Sequence, residues 1–163
     1  MTEYDVNISI EDEFRGVLAE DWLRSIVLEV LETEDVEPPV ETGLVISNNE
    51  TVQYLNQTYR NKNEPTDVLS FPMLYQSSQQ DISSFIAPPD GIRHLGEVII
   101  SYPKAVQQAE DQEHEIKHEL ILLIVHGVLH LLGYDHERLE EEQQMRAKER
   151  HVIEKIAIHR AEK

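Results

Sequence analysis

The chain has 163 residues, 40% of them hydrophobic, which is the length and apolar content of one folded domain spanning 1–163 and argues against disorder. No apolar run approaches the roughly 20 residues of a membrane span, and Met1 to Asp5 lacks the basic region and apolar core of a signal peptide. Zero cysteines exclude disulfides and fit a reducing compartment, so the cytoplasm is the expected location. A net charge of −18, from 32 acidic against 14 basic residues, argues by itself against a nucleic-acid partner, because phosphate binding draws on Lys and Arg. The same balance suits a salt-adapted or highly soluble protein.

Tyr4, Val6, Ile8 and Ile10 alternate with Asp5, Asn7 and Ser9, the period of a half-buried strand. From about Ala19 to Glu32, Trp22, Leu23, Ile26, Val27, Val30 and Leu31 form one apolar stripe at helical spacing. Asp21 suits the positive end of that helix, and core packing is expected of the single tryptophan. Glu37-Pro38-Pro39 breaks the helix, and Gly43 to Ser47 reads as a short second strand. Ser47-Asn48-Asn49 offers cap chemistry to a helix marked by Val52, Leu55 and Tyr59 that ends near Arg60. After a turn over Asn61 to Pro65, Thr66 to Phe71 reads as a third strand closed by Pro72.

Residues 73–92 read as irregular, a loop of a length that is either mobile or functional in compact domains. Leu95 to Ser101 is the fourth expected strand, and Ser101-Tyr102-Pro103 starts a helix with Pro near its first position. A histidine-bearing helix follows from about His114 to Leu132. Leu139 to His159, dense in charge but carrying Met145, Val152, Ile153 and Ile156, reads as a long, half-exposed terminal helix. The expected fold is α+β: about four strands in one mixed sheet, packed helices, and the histidine helix buried near the centre. There is no Gly-rich phosphate loop and no internal repeat.

An apolar run from Leu120 to Val125 leads into His126-Gly127-Val128-Leu129-His130-Leu131-Leu132-Gly133-Tyr134-Asp135-His136. His126 and His130 share one helical face, with Cβ atoms about 5–6 Å apart, close enough for two imidazoles to converge on one ion. Gly133 stands where a helix would stop in the left-handed conformation, and the turn after it lets His136 point back. Three neutral imidazoles leave one position for water, the open type of site found in catalysis, whereas structural zinc takes four protein ligands. Zinc is therefore the expected ion, and nickel or cobalt would suit the same donors. One histidine in an apolar helix is ordinarily a core residue; three around a helix, a glycine stop and a return favour a metal.

The pattern departs from H-E-x-x-H, since Gly127 stands in the Glu position and cannot act as a base. HGVLHLLGYDH instead resembles the signature of the YbeY family, bacterial rRNA maturation factors regarded as zinc-dependent single-strand endoribonucleases. The resemblance extends through Thr66-Asp67-Val68-Leu69-Ser70-Phe71-Pro72 and Leu95-Gly96-Glu97-Val98-Ile99-Ile100-Ser101, covering about Leu44 to His136. It implies one Zn2+ per chain, single-stranded RNA as substrate, action at the 3′ end of small-subunit rRNA, and the small ribosomal subunit with its assembly proteins as partners. It also implies a functional requirement for the arginine shortly before the Thr-Asp-Val-Leu-Ser-Phe run, which is Arg60 here. A guanidinium offers paired donors to phosphate oxygens.

Two other readings stand beside this one. A metallohydrolase of a carbonyl substrate is disfavoured by Gly127, and a non-catalytic, metal-stabilised ribosome assembly factor is favoured by the acidic charge and the missing base. Among further candidates, Glu119 is expected to be outer to the ligands or on the surface. Asp67 is as plausible in a turn as in catalysis, and Asp135 could orient an imidazole or cap the last helix. Lys62, Arg93 and Lys104 could line a groove with Arg60, although taken one by one each is more readily a solvated surface charge. The resemblance places Asp where Glu97 stands, which weakens any role for the longer side chain. His94, His114, His118, His151 and His159 are expected to be structural.

Overall fold

The alternation in Tyr4–Ile10 makes a strand, β1, in which Val6 and Ile10 are buried while Asp5, Asn7 and Ser9 face water. The computed structural model describes residues 4–62, 66–72, 91–134 and 139–161. After β1 come a single 3-10 turn at Asp12–Phe14 and helix α1, Glu20–Thr33, which buries Leu23, Ile26, Val27, Val30 and Leu31 along the expected stripe. Next are β2 (Val40–Ser47), α2 (Asn49–Arg60), β3 (Val68–Pro72) and β4 (Arg93–Ser101). Helices α3 (Tyr102–Asp111), α4 (Ile116–Leu131) and α5 (Leu139–Ala161) follow. The expected cap of α2 is made, the Asn48 side chain accepting the Thr51 N–H at 2.8 Å, and the Ser101 hydroxyl caps α3 by accepting the Lys104 N–H at 3.3 Å.

The strands form one mixed sheet in the order β1-β2-β4-β3, with β1, β2 and β4 parallel and β3 antiparallel to β4. β2 begins at Val40, three residues ahead of the expected Gly43. Its first residues pair with Tyr4 to Val6 on one side and with the start of β4 on the other, so cross-strand pairing overrides the preceding prolines. β3 begins at Val68 because Asp67 is a turn residue, its carboxylate accepting the Val68 N–H at 2.8 Å and its carbonyl the Ser101 N–H at 2.9 Å. Pro72 is the last residue of β3, at the end of the sheet order, where a missing N–H is tolerated.

Helices α1 and α4 pack on one sheet face, α5 packs against α1 and α4, and all three share a core with Val6, Leu44, Ile46, Leu95, Val98 and Ile100. On the other face, Val52 and Leu55 of α2 pack with Leu69, Phe71 and Ile99. α4 is buried along most of its length and starts at Ile116, two residues after the expected His114, because Glu113 takes a left-handed turn at φ 57°. Trp22 is half-buried against the core, with the Lys117 ammonium 5.5 Å from its ring centroid. Most of the expected long loop falls outside the described residues.

Candidate functional site

α4 ends in a Schellman motif: Gly133, at φ 106°, donates its N–H to the His130 carbonyl at 3.0 Å, and Tyr134 donates to the Leu129 carbonyl at 3.1 Å. One turn back, the imidazoles of His126 and His130 meet with centroids 4.7 Å apart and planes at 79°. Both residues are half-buried. Two rings on successive turns at this distance fit two nitrogen positions around a four-coordinate divalent ion. His136, the third expected donor, lies outside the described residues, as does Asp135. Among the described residues no group of three or more His, Asp or Glu is placed to hold an ion.

His126 has a partner that sequence reading missed. Its Nδ1 is 2.6 Å from the Glu149 carboxylate on α5. The two line a cavity of about 330 Å³ with Glu142, Met145 and Arg146. Nothing local to Glu149 distinguishes it in a helix crowded with glutamates, although its spacing from Met145 and Val152 places it on the inward side.

Gly127 explains why the Glu of H-E-x-x-H is missing. A Cβ there would stand 2.6 Å from Val98 Cγ1 and 3.1 Å from Cγ2, inside any real carbon contact. Ser70 ties the same point to β3 by donating its hydroxyl to the Gly127 carbonyl at 3.0 Å. The motif residue Ser70 therefore seats α4 on the sheet and holds the imidazole pair at a fixed height above it.

Arg60 is the exposed last residue of α2, followed by Asn61 in the left-handed conformation at φ 58°. Before it, Tyr59 is 68% exposed and sets its ring edge against Phe71, 5.5 Å between centroids. Phe71 faces α2 whereas Ser70 faces α4, so the two helices flank β3 from opposite sides. Glu97 points to the α2 side as well, over Gly43 and away from the imidazoles.

Several expectations are corrected. Glu119 is not on the surface: it is buried, accepting from Gln108 at 2.8 Å and meeting His114 Nε2 at 2.7 Å, which satisfies both carboxylate oxygens away from His126. His114 and His118 do bring their rings within 4.6 Å, but His114 is engaged by that carboxylate. Arg93 and Lys104 do not share a groove, because the whole of β4 separates them, roughly 26 Å at 3.3 Å per residue. Behind the helix stop, the Tyr134 hydroxyl donates to Glu34 at 2.7 Å and Lys148 lies 3.6 Å from the same carboxylate. Burial, then the bond to Glu34, raises the Tyr134 phenol, and the Glu34 charge raises the Lys148 ammonium.

Fold and site together define an α+β protein in which a mixed sheet supports a buried helix bearing a His-x-x-x-His pair. A family profile described as Endoribonuclease YbeY matches residues 6–157, and the chain belongs to that family. It is 43% identical over 145 residues to the Endoribonuclease YbeY of Dehalococcoides mccartyi, covering 88% of this chain and 87% of the relative. It is 40% identical over 156 residues to that of Roseiflexus castenholzii, covering 95% and 94%, and 39% identical over 158 residues to that of Geobacillus thermodenitrificans, covering 95% and 99%. A Thermotoga maritima protein of known solution structure shares the fold, with a TM-score of 0.57 at 22% identity over 97% of this chain and 95% of that one.

Proposed function

We propose that the protein is a metal-dependent endoribonuclease that cuts single-stranded RNA in rRNA maturation, at the 3′ end of the small-subunit rRNA. Family membership over residues 6–157 supports the reaction class. The single observation that supports a metal is the pair of imidazoles 4.7 Å apart beside a glycine-terminated turn. One Zn2+ would be held by His126, His130 and His136, and bound there it would supply an activated water and positive charge next to the phosphate. Gly127 contributes no base and Ser70 is occupied as a structural tie. Arg60 would donate paired hydrogen bonds to phosphate oxygens and stabilise the charge of the pentacoordinate phosphorus.

The net charge of −18 opposes a polyanion in bulk solution. Weak, salt-sensitive RNA binding follows, with the small ribosomal subunit and its assembly proteins delivering the substrate in the cytoplasm. No helix among the described residues is long and apolar enough to cross a membrane. The same charge supports a second reading, a non-catalytic assembly factor whose metal stabilises the fold.

The test is cleavage of single-stranded RNA by the zinc-loaded protein beside His130→Ala and Arg60→Ala. Loss of cleavage in both variants, with Arg60→Ala still folded and zinc-bound, is the expected result. Equal cleavage by all three proteins would assign the activity to a contaminant. A zinc-bound wild type that binds the small subunit and cuts nothing would establish the assembly-factor reading.

A further inference from the structure

We infer that Glu149 is a positioning residue for His126: its carboxylate accepts the Nδ1–H and dedicates Nε2 to a divalent cation, which makes α5 part of the candidate metal centre. This rests on the proposed metal site.

Three observations support the role. The contact is 2.6 Å, a charge-assisted length, and the two side chains are only 30% and 25% exposed, so water competes weakly for either group. The carboxylate is held inward by packing, since Met145 and Val152, four residues before and three after, are 1% and 0% exposed and place Glu149 on the seated face of α5. Arg146, one turn before it on the helix, is paired with Glu142 at 2.7 Å.

A neutral imidazole has one donor and one acceptor nitrogen, and the hydrogen bond at one settles the role of the other. With Nδ1 donating to Glu149, the lone pair is at Nε2. A carboxylate behind a ligand histidine also fixes the orientation of its ring, and losing such a partner costs about 10–100-fold in metal affinity. The contrast with His114 is informative. There the carboxylate of buried Glu119 meets Nε2, the ring's outer nitrogen, and also accepts from Gln108.

The experiment measures Zn2+ affinity by competition with a chromophoric chelator for wild type, Glu149→Gln and Glu149→Leu, with thermal melts of the metal-free proteins. In parallel, 15N NMR at about pH 8, above the ordinary imidazole range, reports the His126 tautomer without metal. The expected result is an Nδ1–H tautomer in wild type and in Glu149→Gln, whose amide oxygen still accepts. Glu149→Leu should lose that tautomer and bind Zn2+ about 10–100-fold more weakly, with Glu149→Gln in between. Wild-type affinity in a folded Glu149→Leu, or an Nε2–H tautomer in wild type, overturns the inference. If Glu149→Leu does not fold, the tautomer of wild type and the graded affinity of Glu149→Gln decide it. Failure of the metal reading shows differently, as a wild type that binds no Zn2+ while its His126 keeps the Nδ1 proton; that outcome ends both proposals.

Discussion

Gly127→Ala isolates the seat of α4 on the sheet. A methyl group at this position would stand 2.6 Å from Val98 Cγ1, about an ångström inside normal carbon contact, and Val98 is 1% exposed with a short branched side chain that has nowhere to swing. Overpacking of a tight core site costs about 1–3 kcal/mol, and a clash this close to a rigid neighbour belongs at the upper end. Alanine regains about 1 kcal/mol of helix propensity over glycine, so the net loss is about 2 kcal/mol. For a chain of this length that lowers Tm by about 4–8 °C, measurable by far-UV circular dichroism. Pairing the change with Val98→Ala removes the obstacle, and the double variant should be more stable than the two single losses added together. A Gly127→Ala protein that melts at or above wild type would refute the reasoning and reopen the question of why no glutamate stands there.

Gly133→Ala meets open space but must hold φ 106°, so it should cost about 1–2 kcal/mol from backbone strain alone, read as a lower Tm; an unchanged Tm would mean that α4 ends otherwise. Glu34 is the common partner of Tyr134 and Lys148, whose groups are raised above their ordinary values of 10.0 and 10.5. Both therefore hold their protons more tightly in the folded chain, and the stabilisation is complete below about pH 10 and lost as the pH rises past those values. Melts taken between about pH 8 and 11 should fall less steeply for Glu34→Gln than for wild type, and parallel curves would count against the coupling.

Sequence carried the local features far. The alternation of Tyr4–Ile10, the stripe of α1, the Asn48 and Ser101 caps and the Gly133 stop all express short-range rules that need no knowledge of neighbours. What it could not carry was created by contacts between distant segments. Val40 is strand because it is paired on both sides. Glu119 is buried because Gln108 and His114 satisfy it, although a charged residue at a helix start reads as solvated. Ser70 and Gly127 explain each other only once β3 and α4 are side by side. Glu149 lies hidden among the carboxylates of α5, and only the packing of that helix against α4 selects it.

That selection has a temporal side. The carboxylate against His126 comes from 23 residues further along the chain, so synthesis delivers both imidazoles before the group that restrains one of them. Until α5 is made, the contact between Glu149 and His126 cannot form, whatever else the ring already meets. The contact on His126 is therefore a late addition to a site whose two rings are laid down earlier in the chain.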